Sequence, residues 1–191
     1  METSHTNLAK VIHWGFIILY AYGIFKQIED LSQLENIGLL LFEVLFASLF
    51  LLIVLIRYFY MRKFETFLGA NDSIHPVHKS FAKMIHIFMY LCLILLPLTG
   101  LLIAGLFALG IKDGPLQDSA IGLHELCASL SYLLIVIHVA AAIYSRIKGE
   151  GVWSSMVPLW NNEEPTQNRI VSQLSHLENG FYNKVENFLI K

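Results

Sequence analysis

Residues 37–56 read IGLLLFEVLFASLFLLIVLI, and this stretch decides the fold. It carries a single charged side chain, Glu43, among residues that are otherwise apolar or small. A helix that crosses the hydrocarbon core of a bilayer needs about 20 mostly apolar residues. We therefore predict a transmembrane helix over this stretch.

Three further stretches, residues 8–25, 84–109 and 120–144, qualify in the same way. Of the 191 residues, 55% are apolar and 15% are charged, against roughly 25% charged in a soluble domain. The apolar residues form continuous runs, so a transmembrane β-barrel does not fit, and a soluble four-helix protein would need polar faces that are missing. The predicted fold class is all-α: a transmembrane four-helix bundle over residues 1–160, followed by an amphipathic cytoplasmic tail over residues 161–191.

Charge and cysteine content exclude several classes of protein. The net charge of −2 gives no support to nucleic-acid binding. Cys92 and Cys127 both lie inside apolar runs, so a disulfide framework is not expected. Residues 1–7 are polar and lack the apolar core of a signal peptide, so we expect the first apolar run to be retained as an anchor.

The basic residues near the spans predict the orientation of the chain. One side carries only Lys26 and Lys112, beside five carboxylates, whereas the N-terminal flank, the second connection and the segment after the fourth span are basic. Positive side chains favour the cytoplasmic side of a membrane, so both termini are predicted to be cytoplasmic. The basic residues on that side are Lys10, Arg57, Arg62, Lys63, Lys79, Lys83, Arg146 and Lys148.

The region after the fourth span combines aromatic residues with a polar tail. Trp153 and Trp160 stand where tryptophan side chains anchor a protein at the membrane–water interface. In the tail, apolar residues recur every three or four positions, which predicts an amphipathic helix on the membrane surface or against a partner protein. These residues are Ile170, Leu174, Leu177, Phe181, Val185 and Phe188.

Four histidines, His13, His86, His124 and His138, fall inside the predicted spans, where ionisable side chains are costly and by default mark function. His124 and His138 share one helix and are almost four turns apart, so their rings point to nearly the same face, roughly 21 Å apart along the axis. One ring therefore lies near each membrane surface. This arrangement would stack two haems, one in each leaflet.

Depth in the membrane sorts these histidines into two levels. His13, His86 and His138 belong to the cytoplasmic level, and His124 belongs to the outer level. A six-coordinate haem needs two axial ligands, so any two of the three inner histidines are candidates to bind the iron of one b-type haem.

Other side chains fit the needs of a haem pocket. Arg57 and Lys83 at the cytoplasmic rim are candidates to receive the haem propionates, which are carboxylates. A wide, flat porphyrin also requires small residues beside its ligands. Such residues are Gly15, Ala128, Ala140, Ala141 and Ala142.

A single histidine in a membrane helix more often forms a hydrogen bond between helices. Four histidines sorted by depth favour haem ligation over that alternative. Zinc is disfavoured, because no two histidines have the close spacing of metal ligands on one helix. The histidines outside the spans, His5, His75, His78 and His176, are predicted to be exposed to solvent.

Short motifs are spread over about residues 5–160. They are Ile12-His13-Trp14, His86 with Leu96-Pro97-Leu98-Thr99-Gly100-Leu101, His124-Glu125, His138-Val139-Ala140-Ala141-Ala142, and Met156-Val157-Pro158. Together they resemble the bacterial cytochrome b561 family, four-helix haem proteins of the inner membrane. The resemblance implies electron transfer that involves membrane quinone.

The resemblance also implies roles for single residues. His13 and His138 correspond to the axial ligands of a cytoplasmic-side haem, and His124 corresponds to one ligand of a second, outer haem. The family places the partner of His124 early in the second helix, fourteen residues before an arginine. Counting back from Arg57 leads to Glu43, so a carboxylate stands where the family has an imidazole.

Three outcomes are open at the outer level. In the first, Glu43 ligates the iron, although a hard carboxylate binds ferrous haem poorly. In the second, His124 alone holds a five-coordinate haem. In the third, no haem binds and Glu43 pairs with His124, because a lone carboxylate at this depth costs several kcal/mol. We expect one haem, with the second absent or weakened.

His86 has two possible roles. It either replaces one axial ligand or handles a proton at a quinone site, because quinone reduction takes up protons and imidazole titrates in the useful range. We expect the second role.

The expected function is that of a haem b electron carrier that exchanges electrons with the quinone pool, with superoxide:ubiquinone oxidoreductase activity as one form. Weak positive charge on the outer side argues against superoxide as the donor. The alternatives are a cytochrome b anchor subunit of a dehydrogenase or hydrogenase, and a haem-free structural or regulatory membrane protein. The expected partners are membrane lipid, quinone, a peripheral redox protein and a second copy of the chain in a homodimer.

Overall fold

A computed structural model describes residues 5–62, 70, 74–157 and 168–189. Among these residues the chain forms helices joined by short loops, and no strand. The helices are α1 (Asn7–Phe25), α2 (Ile37–Met61), α3 (Pro76–Ala108), α4 (Pro115–Lys148), α5 (Val152–Met156) and α6 (Arg169–Leu189), and a short 3-10 helix, Leu31–Glu35, lies between α1 and α2.

Helices α1 to α4 are each long and apolar enough to cross a membrane. Their apolar side chains mostly face outward, since only 11% of the most apolar window of α2 is buried inside the protein. A soluble bundle would bury such a window, whereas helices that are solvated by lipid leave it exposed. The all-α transmembrane bundle predicted from the sequence is therefore confirmed.

The helices extend beyond the predicted spans. Helix α3 begins at Pro76 rather than near residue 84, and α4 begins at Pro115 rather than near residue 120. Proline is favoured at the first position of a helix, because its fixed backbone angle suits the helix and its missing N–H is not needed there. Hydropathy detects the part of a helix that lies in hydrocarbon, so the more polar turns at the ends were missed.

The amphipathic helix predicted in the tail is present as α6. Trp153 lies in α5, and the guanidinium of Arg146 lies 5.7 Å from its ring centroid. Trp160, Lys63 and Pro158, which entered the predictions above, lie outside the described residues.

The chain divides into two compact units, which we call the core unit and the tail unit. The core unit comprises Val11–Arg62 and Phe88–Leu134. Its buried centre combines side chains of α1, α2 and α3, and the Tyr20 hydroxyl lies 2.7 Å from the Ser131 hydroxyl of α4. The centre consists of Phe16, Phe50, Val54 and Leu93.

The tail unit comprises Met1–Lys10, Lys63–Ile87 and Ile135–Lys191. It therefore contains the beginning of α3, the last turns of α4 and the whole of α6. Polar contacts join α6 to both of the other helices, as described below.

Candidate functional site

His13 on α1 and Arg57 on α2 are paired inside the core unit. An Nη2 nitrogen of Arg57 lies 2.7 Å from Nδ1 of His13. Because a guanidinium can only donate hydrogen bonds, Nδ1 is the acceptor and Nε2 of His13 carries the ring proton. The sequence predicts Arg57 as a contact for a haem propionate, and it does not predict this pair with His13.

The guanidinium of Arg57 is held among aromatic rings. It lies 4.9 Å from the ring centroid of Phe16 and 5.7 Å from that of Tyr90, so both rings offer their π faces to the cation. Its Nε atom is buried and has no hydrogen-bond partner. A buried donor without a partner is rare in native proteins and indicates a missing ligand or water.

The Arg57 site fits a haem propionate. A carboxylate accepts charge-assisted hydrogen bonds from a guanidinium, often in a bidentate geometry that uses two N–H groups. The unpaired Nε provides one such group. A carboxylate that also took the Nη2 N–H would displace Nδ1 of His13, and binding of the anion would then be linked to release of His13.

His86 on α3 and His138 on α4 contact each other within the tail unit. Their ring centroids lie 5.0 Å apart, with the ring planes at 61°. A metal ion between two imidazoles needs about 2 Å to each nitrogen, which sets the ring centroids roughly 6 Å apart. The two rings are therefore closer to each other than two imidazoles that bind one metal ion from opposite sides.

His124 on α4 has a partner in the core unit. Its Nδ1 lies 2.9 Å from the Thr99 hydroxyl, and that hydroxyl lies 2.8 Å from the Leu95 carbonyl oxygen and 2.9 Å from the Leu96 carbonyl oxygen. Because a hydroxyl has one hydrogen, which it gives to a carbonyl, Nδ1 of His124 donates to Thr99. Nε2 then keeps its lone pair, which is the tautomer of a metal ligand. Gly100 packs against this ring, and an added Cβ would lie 3.4 Å from its Cε1, which is an ordinary van der Waals contact.

Glu43 on α2 is paired with Lys26, which follows the end of α1. The Lys26 ammonium also lies 4.3 Å from the ring centroid of Phe46. One possible outcome from the sequence was a charge pair between Glu43 and His124, but the structure pairs Glu43 with Lys26 and His124 with Thr99 instead. The reason is that a lysine ammonium carries a charge opposite to that of the Glu43 carboxylate, whereas a neutral imidazole carries none.

The small residues predicted beside the ligands differ in exposure. Gly15, Ala140 and Ala141 are exposed, whereas Ala128 and Ala142 are half-buried. Lys83, the second candidate for a propionate contact, is exposed on α3.

An apolar groove of about 590 Å³ lies between α1 and α2 and is lined by Val11, Gly15, Ile18, Tyr22, Ile53 and Ile56 among others. These α1 positions repeat every three or four residues, so they share a helix face that His13 does not. Phe16 also lines the groove, and its ring centroid lies 4.9 Å from the Arg57 guanidinium, so the groove borders the surroundings of the His13–Arg57 pair.

Three of the four histidines that were predicted to be exposed are not. His5 is buried, with 8% of its surface exposed, and its backbone N–H donates to the backbone carbonyl of Ser155. His75 and His78 are half-buried against α6. Nothing in their sequence context distinguishes these residues from exposed histidines, because their partners lie far along the chain. His176 is exposed, as predicted.

Cys92 and Cys127 are both buried and free. Within the described part of the chain, no group of three or more histidine, cysteine, aspartate or glutamate side chains is arranged to hold a metal ion.

Comparison with known proteins adds to this picture. The family model described as prokaryotic cytochrome b561 matches residues 4–159. Neither a curated protein nor a solved structure matches the chain. The chain belongs to the prokaryotic cytochrome b561 family, whose members bind haem b and transfer electrons at the membrane.

Proposed function

We propose that this protein binds one haem b through His13 and His138 and exchanges electrons with the membrane quinone pool. The bound haem supplies a one-electron carrier, whose potential the protein sets through its ligands and charges. The ligand assignment rests on the family motifs around these two histidines. The observation that carries the proposal is the Arg57 guanidinium, which is buried beside His13 with an unpaired Nε.

Arg57 controls the proton on His13. While an Nη2 N–H of Arg57 donates to Nδ1, the ring proton stays on Nε2 and blocks that atom from binding a metal. If a carboxylate took over this Nη2 N–H, Nδ1 would lose its donor and could take the proton, which would expose the Nε2 lone pair. The propionate contact and the axial bond therefore support each other.

His86 is proposed to handle protons for quinone chemistry. Its ring contacts the ring of His138, so a proton on His86 lies beside a proposed axial ligand. Quinone reduction requires protons as well as electrons, and imidazole gives and takes protons near neutral pH. This role leaves the axial bonds to the other two inner histidines.

We propose that no second haem is bound with normal affinity at the outer level. His124 keeps the tautomer of a ligand, but Glu43 stands at the sequence position where the family has the partner ligand, and it forms an ion pair with Lys26. Breaking a half-buried ion pair to ligate iron would leave the Lys26 charge without its partner.

Superoxide is a weak candidate for the electron donor. The predicted outer side has two lysines, and both are paired with carboxylates, Lys26 with Glu43 and Lys112 with Glu35. Paired cations produce little long-range attraction for an anion. A donor that docks or diffuses in the membrane, such as quinol or a peripheral dehydrogenase, fits these charges better.

The proposed orientation places both termini in the cytoplasm of a bacterium, with the four helices in the inner membrane. The eight-to-two distribution of basic residues supports this orientation. A cysteine introduced at Ser32 should react with a membrane-impermeant thiol reagent from the periplasmic side, and one at Lys184 should not.

The alternative is a haem-free structural or regulatory protein, which the replacement of an imidazole by Glu43 favours. The haem-to-protein ratio of purified material separates these functions. We expect one low-spin haem per chain, and a ratio that rises toward two in Glu43→His but not in the matched Glu43→Gln variant. Two low-spin haems in the unmodified protein would refute the single-site proposal, and absence of a Soret band would refute the cytochrome function.

A further inference from the structure

Glu178 is the centre of the contacts that hold α6. Its carboxylate accepts hydrogen bonds from the Tyr144 hydroxyl at 3.2 Å, the Lys148 ammonium at 3.1 Å and the Tyr182 hydroxyl at 2.8 Å. Tyr144 and Lys148 belong to the last turns of α4. The middle of α6 is therefore joined to the end of a membrane-spanning helix.

A second set of contacts joins α6 to the beginning of α3. Nε2 of His75 lies 3.4 Å from a Glu186 carboxylate oxygen and 3.2 Å from Oδ1 of Asn183. The His75 ring also stacks on the ring of Tyr182, with 5.5 Å between centroids. Nδ1 of His78 lies 3.6 Å from Glu178.

These contacts define the level of α6 relative to the bilayer. Helix α3 starts at Pro76 and α4 ends at Lys148, and consecutive spanning helices run in opposite directions. The start of one and the end of the next therefore mark the same membrane surface. Because α6 contacts both, it lies at that surface.

An apolar stripe on α6 is left uncovered by these contacts. Its side chains expose between 48% and 82% of their surface. At 100° per residue, the stripe is centred roughly 90° around the helix from the face that carries Glu178, Tyr182 and the buried Val171. The stripe consists of Ile170, Leu174, Leu177, Phe181 and Phe188.

The exposed surface of α4 indicates what covers the stripe. Ile143 and Ile147 flank Tyr144 and Lys148 and expose 45% and 51% of their surface. In a spanning helix such side chains face lipid, so the lipid-facing surface extends to the turns that α6 contacts. The opposite side of α6 is polar and includes Ser172, His176 and Asn179, all exposed, as expected of a helix that lies between lipid and water.

We propose that the stripe of α6 inserts into the lipid at the level of the headgroups, so that α6 is an interfacial helix fixed to the bundle through Glu178 and His75. The partner is the bilayer itself, with acyl chains against the stripe and headgroups beside Arg169 and Lys184.

Site-directed spin labelling of the full-length protein tests this proposal. Cys92 and Cys127 are replaced by alanine, and single cysteines are introduced at Leu177 or Phe181 in the stripe and at Ser172 or Asn179 as matched controls. The labelled protein is reconstituted into vesicles of phosphatidylcholine and phosphatidylglycerol, after circular dichroism and elution volume have verified its fold. Accessibility is measured to molecular oxygen, which concentrates in lipid, and to a water-soluble nickel chelate.

Labels in the stripe should be several-fold more accessible to oxygen than to the chelate, and control labels should show the reverse. Stripe labels that favour the chelate would place α6 in water, and stripe labels shielded from both reagents would place it against protein; either result overturns the proposal. Should the cysteine-free background fail to fold, the unmodified protein is crosslinked in vesicles that contain a photoactivatable phosphatidylcholine. Crosslinked lipid is then expected on residues 169–189, and the absence of crosslinks there also contradicts the proposal.

Discussion

A polar side chain in hydrocarbon needs a partner, and the partners found here decide which residues remain available for a cofactor. The guanidinium of Arg57 lies on the π face of Phe16 and donates a hydrogen bond to Nδ1 of His13, but its Nε has no hydrogen-bond partner. Glu43 and Lys26, by contrast, satisfy each other. The difference predicts that the inner level binds an anionic group and that the outer level does not require one.

Replacing Arg57 by glutamine should lower the haem reduction potential. Removal of a cation near the iron stabilises the oxidised form, which carries one more positive charge. We expect a fall on the order of 60 mV, which is a tenfold change in a one-electron equilibrium constant. Potentiometric titration measures this value, and Arg62→Gln, which removes an exposed cation from the end of the same helix, is the control. Equal shifts in the two variants would argue against a specific contact between Arg57 and the haem.

Replacing His86 by glutamine should slow quinone reduction while the low-spin haem spectrum stays unchanged. General acid–base groups typically contribute a factor on the order of 100 or more to a rate, so a loss of this size is expected. Stopped-flow kinetics with a water-soluble quinone provides the rate, and His176→Gln on the exposed face of α6 is the matched control. Loss of the haem spectrum in His86→Gln would instead identify His86 as an axial ligand.

At the scale of helices, the sequence predicted which segments form helices but not what holds their ends. Continuous apolar runs identified α1 to α4, and the repeat of apolar residues in the tail identified α6, because both patterns follow directly from helix geometry and solvent. The docking of α6 was not predictable. It depends on Glu178, His75 and Tyr182, which are polar residues that look like a solvated face until their distant partners are known.

The attachment of α6 should weaken in acid. Burial raises the pKa of Glu178, but hydrogen bonds donated by Tyr182 and Lys148, together with the charges of Lys148 and His78, lower it overall below its ordinary value of 4.5. Because the pKa is lowered in the folded state, the stabilisation is fully present above 4.5 and is lost as the pH falls through the lower, folded-state value.

Mobility of a nitroxide at position 187 of α6 reports this transition. We expect slow motion at pH 7 and faster motion near pH 3. Glu150, Glu186, His75 and His78 face the same cluster, so Glu178→Gln isolates the contribution of one carboxylate. That variant should be more mobile at pH 7 and should respond less to acid. An unchanged response in Glu178→Gln would exclude Glu178 as the titrating group.

At the scale of the whole molecule, the membrane bundle and the family could be predicted because both depend on long or multiple patterns in one chain. The pairings at the site could not. The choice of Lys26 as partner of Glu43, and of Thr99 as partner of His124, depends on how neighbouring helices are rotated, which hydropathy does not encode. The same holds for the contact between His86 and His138.

The central claim is that His13 and His138 together bind one haem. It is tested most directly by reduced-minus-oxidised spectra and haem quantification of His13→Ala and His138→Ala beside the unmodified protein and the exposed-residue control His176→Ala. We expect one low-spin haem per chain in the unmodified protein and in the control, and loss of the low-spin spectrum in each ligand variant. A low-spin haem that survives at full occupancy in either ligand variant would contradict it.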